Sequence, residues 1–203
     1  MSELKITILA HPDQAQISTL LSAAFANDPV YRYFLQGCPA ADIDRLRYQL
    51  VSFIVAYHCS AGRPVWGLHH GDKLLACALL ETPVSSWRGA VALLLHLPKL
   101  IGKVPLASIQ RMNRYAVKSR EELPKNINHY LVKIGVAPGH QGAGYGKKLI
   151  TAMMEYCRDR AQILALDTEN PDNVPLYQHL GFQLHDANQL DTLTIYRMFY
   201  TFE

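Results

Sequence analysis

The sequence predicts an α/β domain organised around a mixed sheet, and three observations carry that expectation. Segments of helical period alternate with short apolar or alternating runs along the chain, the pattern of packed helix and sheet layers. An apolar run, Tyr130 to Val136, stops at Pro138-Gly139 and enters the glycine-dense loop Gln141-Gly142-Ala143-Gly144-Tyr145-Gly146. A helix then starts, with Gly146, Leu149, Ile150, Met153 and Cys157 on one stripe. Finally, 49% of the 203 residues are hydrophobic and 18% charged. That is the balance of a globular chain long enough to bury a core, not of a disordered one.

The elements follow in order. Lys5 to Leu9 reads as a strand, and Asp13 as the N-cap of a helix over 13–26 carrying Ile17, Leu20, Leu21, Ala24 and Phe25. Asn27-Asp28-Pro29 ends that helix. Residues 30–36 are aromatic-rich, and Gly37 and Pro39 break them. Asp42 to Cys59 is a second amphipathic helix, stopped by Gly62 and Pro64. Val65 to His70 and Lys73 to Glu81 are strands joined at Gly71-Asp72. An insertion of about 83–123 holds two short helices, near 86–97 and 105–120, with Pro98 as a break. The central strand, glycine loop and helix come next. Strand Ile163 to Thr168, helix Asn173 to Leu180 and two closing strands, near 182–187 and 192–201, finish a chain read as one domain over 1–203.

A strand, a glycine loop and a helix N-terminus make an anion site. Glycines let backbone N–H groups approach a ligand, and the first helical N–H groups have no internal partner. Three phosphate readings compete for this turn. The P-loop pattern fails, because no glycine stands five residues before a Lys-Ser or Lys-Thr pair. The dinucleotide fingerprint fits at Gly142 and Gly144 but meets Lys147 at its third position, with Asp167 where a ribose-binding carboxylate would sit. Too few strand–helix units follow to build its sheet. The third pattern fits most residues: Val136-Ala137-Pro138, then Gln141 to Gly146, then Asn173-Val174-Pro175-Leu176-Tyr177-Gln178-His179-Leu180-Gly181-Phe182.

Over residues 129–183 the chain thereby resembles the acetyl-CoA-binding half of the GNAT superfamily of N-acetyltransferases. Ala24-Phe25-Ala26 with Pro29, and the Asn-x-Pro-x-Tyr segment, look like its puromycin N-acetyltransferase branch. The resemblance implies a mixed, mostly antiparallel sheet of about seven strands splayed into a V, with helices on both faces. It implies acetyl-CoA as acyl donor, held in that V. Ile134, Gly135 and Val136 would present backbone groups to the pantetheine and the acetyl carbonyl. Gln141, Gly142, Ala143, Gly144, Tyr145 and Gly146 would hold the pyrophosphate, with Lys147 adding charge. Asn173, or Asn170 in its place, would bond the pantetheine. Tyr177 is the family-matched acid for the CoA sulfur, a neutral phenol able to donate. Glu81 and His129 both stand as candidate bases, as does ordered water.

The implied reaction moves an acetyl group to a primary amine of a small molecule. Acetylation of a protein lysine or N-terminus, and a non-catalytic acyl-CoA-binding module, are the other readings. Tyr31, Tyr33, Phe34 and Trp87 suggest an aromatic acceptor surface with few carboxylates, Asp28 and Glu81. The net charge of +3 is scattered, without the clustered basic face of a nucleic-acid binder. The most apolar run, Ala90 to Leu97, is too short to span a bilayer, which needs about 20 residues. The four cysteines show no pairing pattern and read as reduced thiols, and no signal peptide opens the chain, so a cytoplasmic monomer or homodimer without membrane or metal is expected.

Overall fold

The computed structural model describes residues 3–82, 86–121, 123–124, 127–160 and 163–202. Among them, seven strands form one open sheet in the order β1-β2-β3-β4-β5-β7-β6. The strands are β1 Leu4–Ile8, β2 Val65–His70, β3 Lys73–Glu81, β4 Ile127–Val136, β5 Ile163–Thr168, β6 Gln183–Leu190 and β7 Leu193–Thr201. Neighbours run antiparallel except β4 and β5. The helices are α1 Gln14–Ala24, α2 Pro29–Phe34, α3 Ile43–Ser60, α4 Ser86–Leu100, α5 Leu106–Lys118, α6 Tyr145–Cys157 and α7 Asn173–His179.

Local signals explain most element boundaries. Asp13 Oδ1 accepts the Ala15 and Gln16 N–H groups, capping α1. The aromatic stretch after Pro29 folds as α2, because Pro29 opens the first turn and Asp28 Oδ1 accepts the Val30 N–H at 2.9 Å. Pro98 does not break α4 but sits inside its last turn. Gly71, at φ 59°, closes the β2–β3 hairpin.

Apolar cores cover both faces of the sheet. On one, Ile17 and Leu21 of α1, Phe34 of α2 and Leu50 of α3 pack with Leu79 of β3. On the other, Leu149 and Met153 of α6 pack with Leu131, Leu166 and Phe182. Tyr31, Tyr33 and Phe34 are buried in the first core, so these aromatics serve packing before anything else. Trp87 is 62% exposed. No helix among the described residues is long and apolar enough to cross a membrane.

One buried side chain fastens the insertion to this frame. Arg197 of β7 is 0% exposed. Its guanidinium donates to the carbonyls of Lys118, Ser119 and Glu121, just where α5 runs out of internal partners for its last C=O groups. It also meets Asp186 at 3.1 Å and Asp167 at 3.7 Å. The end of α5 is thus clamped to β5, β6 and β7 by one cation.

Candidate active site

The site grows from a fault in the sheet. Opposite β3, Leu79 pairs with Lys133 and Leu80 with Leu131, so Val132 is one residue too many and β4 bulges there. On its other edge β4 pairs with β5 from Ile127↔Ile163 to Leu131↔Leu166. Beyond the bulge β4 runs on to Val136 against β3, while β5 runs on to Thr168 against β7. The two parallel strands therefore part, and the edge of β4 from Val132 to Val136 faces the gap. Backbone N–H and C=O groups on such an edge are obligatory hydrogen-bonding groups open to a ligand.

The glycine loop lies at the end of that edge. Gly142 and Gly144 have φ of 80° and 76°, conformations that cost an L side chain strain. Gly144 caps α6 without a side chain, and a Cβ added at Gly142 or Gly144 would meet nothing within 4 Å. The cradle is open, lined by backbone, and closed behind by the N-terminal N–H groups of α6, which suits a pyrophosphate. Gln141, Ala143 and Lys147 are exposed around it, and Tyr145 and Gly146 form the first turn of α6. Gly135 has a different reason to be glycine. A Cβ there would lie 2.8 Å from Leu21 Cδ2 and 3.0 Å from Ala24 Cβ, so it lets α1 close onto β4.

Across the gap, Asn170 and Asn173 organise the turn after β5. Asn170 Oδ1 accepts the Asp172 N–H, and Asn173 Nδ2 donates to Thr168 Oγ1 at 3.2 Å. Tyr177 of α7 is buried edge-on against Phe182. Burial pushes its phenol upward, and the charges of Glu169 and Asp28 push it further, so it stays protonated at neutral pH.

Glu169 is the residue that the sequence reading passed over. It stands just past β5, is 8% exposed, and its Oε1 accepts the Tyr115 hydroxyl at 2.6 Å. Burial raises its carboxyl to about 7, against the opposing pull of Lys133 and of the Tyr115 hydrogen bond. Lys133 itself is held above the ordinary lysine range: burial opposes its charge, but Tyr31, Glu169 and Asp28 outweigh that. One signal in the sequence could have found Glu169, namely a carboxylate at the carboxyl end of a parallel strand, where open sheets bind ligands.

The two carboxylate and imidazole candidates sit elsewhere. Glu81 is held by Arg63 at 2.7 Å and Arg120 at 2.6 Å. His129 is buried beside Tyr156 of α6, on the face opposite to its neighbour Tyr130. Burial, then Arg160, lowers its pKa. Tyr130 and Val132 instead look into a cavity of about 820 Å³ between α3, α4, α5 and β4. Tyr115, Phe34, Tyr57 and Glu81 also line it. Tyr115 thus belongs to both the cavity wall and the Glu169 hydrogen bond. The residues brought together at the parting of β4 and β5 are Ile134, Val136, the glycine loop, Asn173, Tyr177 and Glu169.

Residues 53–182 match the acetyltransferase (GNAT) family, well over half of the chain. The chain belongs to the GNAT acetyltransferase family. Acetyl-CoA is the acyl donor, and the open glycine cradle fits its pyrophosphate. A mycothiol acetyltransferase of Arthrobacter sp. is 41% identical over 58 residues, 27% of this chain and 18% of that one. The chain spans less than half the length of the curated relatives it matches. Among solved structures, a Corynebacterium glutamicum protein described as histone acetyltransferase HPA2 and related acetyltransferase superposes with a TM-score of 0.70 at 20% identity, covering 100% of this chain and 98% of that one. A Salmonella typhimurium acetyltransferase solved with acetyl-CoA gives 0.55 at 16% identity, covering 98% and 94%. At these identities the structures speak for the fold.

Proposed function

We propose that this GNAT protein transfers the acetyl group of acetyl-CoA directly to the primary amine of a small molecule, with Glu169 as base and Tyr177 as acid. The observation that carries the reading is the Tyr115–Glu169 hydrogen bond, which puts a carboxylate titrating near neutrality between the cavity wall and the parted strands. A general base poised near the working pH is the most effective kind. Glu81, spent on two arginines, and His129, on the other face, are less suited to that role.

In this scheme Ile134, Gly135 and Val136 present the unpaired edge of β4 to the pantetheine and the acetyl carbonyl. An N–H there polarises the carbonyl as an oxyanion donor does. Gln141 to Lys147 hold the pyrophosphate, and Asn173, with Asn170 bracing its turn, holds the pantetheine arm. Glu169 takes a proton from the incoming ammonium, leaving a neutral amine whose lone pair attacks the carbonyl carbon. The C–N bond forms and the C–S bond breaks, and the nitrogen, cationic once bonded, releases its second proton to solvent, as Glu169 does the first. Tyr177 gives its proton to the departing sulfur and regains one from solvent. A cavity of about 820 Å³ and the resemblance to the puromycin N-acetyltransferase branch favour a small amine over a protein lysine or N-terminus. The reading is tested by thiol release from acetyl-CoA across amines and peptides. Turnover with small amines, lost at least about 100-fold in Glu169→Gln, is the expected result for a general base. Preference for peptides, or full activity in that variant, would overturn it.

A further inference from the structure

The acceptor cavity carries a charge pattern that selects among amines, and this inference rests on the acyl-transfer reading of the same site. The charged side chains among its described lining residues are Arg63, Arg114, Arg120, Lys133 and Glu81. Two of the cations are matched from outside the cavity. Arg114 pairs with Asp191 at 2.8 Å, and Lys133 feels Glu169 and Asp28. The other two share a single carboxylate. Arg63 Nη2 meets Glu81 Oε1 at 2.7 Å and Arg120 Nη2 meets Glu81 Oε2 at 2.6 Å. Among the described residues, two guanidiniums share this one carboxylate in direct contact; Asp167, whose charge Arg120 also feels, is turned to Arg197 at 3.7 Å.

The guanidinium pair is held in place. The Arg63 side chain is 10% exposed, its guanidinium lies 5.1 Å from the Tyr57 ring centroid, and its Nε is buried with no hydrogen-bond partner. The Arg120 guanidinium lies 3.7 Å from the centroid of Tyr130. Rings stacked on the flat faces leave the N–H edges of a guanidinium as its means of recognition, and those edges match carboxylate and phosphate oxygens.

We propose that the acceptor is an amine with an apolar, ring-sized body and an anionic group, carboxylate or phosphate, which docks on the Arg63–Arg120 pair. The amine enters as an ammonium. Against two guanidiniums that share one carboxylate, an acceptor that brings its own negative charge is accommodated and a polycation is disfavoured. The aromatic and aliphatic lining, Phe34, Phe53, Ile54, Tyr57 and Ile109, suits a flat apolar body. The volume of about 820 Å³ falls among those of small-molecule pockets, roughly 300–1,000 Å³.

Matched amines test this. Thiol release is measured for 4-(aminomethyl)benzoate against benzylamine, O-phosphotyramine against tyramine, and spermidine. The acid-bearing member of at least one pair is expected to show kcat/KM at least about tenfold higher, the order of one well-made charged contact, and the two pairs tell carboxylate from phosphate. Arg120→Gln, at a partly exposed position, brings that ratio towards one, as does Arg63→Gln. Glu81→Gln frees both guanidiniums and raises the ratio. Calorimetry with 4-methylbenzoate and with p-tolyl phosphate, which have no amine, reads the anion site without turnover. Binding of either, weakened in Arg120→Gln, supports the site even if no amine is acetylated, a result that would remove the transferase reading alone. Preference for spermidine or the uncharged-ring amines, or ratios and binding indifferent to both arginine substitutions, would overturn the anion site. Circular dichroism of each variant checks its fold, and Arg120→Gln alone suffices if Arg63→Gln does not fold.

Discussion

The Tyr115 hydroxyl donates to Glu169 Oε1 at 2.6 Å, joining the inserted helix α5 to the end of β5. This bond spans the boundary between the wall of the acceptor cavity and the parted strands. It satisfies one oxygen of a buried carboxylate and, after Lys133, opposes the upward push of burial on its pKa. The proposed base therefore depends on a residue supplied by α5, far from it in sequence.

A pH dependence follows. Glu169 is raised from its ordinary 4.5 to about 7, first by burial. As a base it acts when deprotonated, so kcat/KM should climb with pH through about 7 and level off above. In Glu169→Gln the residual activity should lose that limb. Stability runs the other way. The folded state holds the proton more tightly than the unfolded chain, so this group's contribution is fully present below about 4.5 and is lost as pH rises through about 7. The thermal midpoint of the native chain should fall relative to Glu169→Gln over that window, as melting at pH 5 and pH 8 would show.

Tyr115→Phe removes the donor and leaves the carboxylate with less support. The hydrogen bond lowers the Glu169 pKa, so its loss should move the ascending limb to higher pH. The stability cost is about 1–3 kcal/mol near neutral pH, the price of an unsatisfied buried acceptor, read by denaturant unfolding. An unmoved limb would mean that the observed pH dependence belongs to another group.

Tyr177→Phe keeps the ring against Phe182 and removes only the hydroxyl. Acetyl-CoA affinity by calorimetry should stay within a few-fold, and kcat should fall by about 10²–10⁴, the usual span of general acid catalysis. Unchanged turnover would take Tyr177 out of the chemistry.

Arg197→Met should be the most damaging of these changes. It takes from Asp167 the guanidinium that contacts it at 3.7 Å and removes three donors from the carbonyls that end α5. Breaking a buried pair in this way costs about 3–5 kcal/mol. Amide exchange near Lys118 and Ser119 should quicken beyond the global change, because the anchor of α5 to the sheet is gone.

Gly135→Ala tests the close approach of α1 to β4. The new methyl would sit 2.8 Å from Leu21 Cδ2, and forced overpacking of this kind costs about 1–3 kcal/mol. Acetyl-CoA affinity should fall as well if the β4 edge shifts with it.

The strand, glycine loop and helix start were legible because they are local. A strand, a glycine loop and a helix start lie within some fifteen consecutive residues, and their spacing alone specifies backbone conformations such as the positive φ of Gly142 and Gly144. Element order was legible for the same reason, since hydrophobic period and breakers act over short spans. Even so, the helix of Pro29–Phe34 read only as an aromatic patch, because six residues are too few to show a period.

By itself, then, the sequence determined the order of strands and helices and the glycine cradle, both set by neighbours along the chain. Tertiary structure alone decided which titratable groups meet. Packing of distant strands built the sheet on whose opposite faces His129 and Tyr130 alternate, and parted β4 from β5 beyond a one-residue bulge at Val132. It left Glu81 between two arginines from distant segments and Glu169 under Tyr115. Burial and charge proximity arise only when remote segments pack, and those are the quantities that turn a carboxylate into a base or an ion-pair partner.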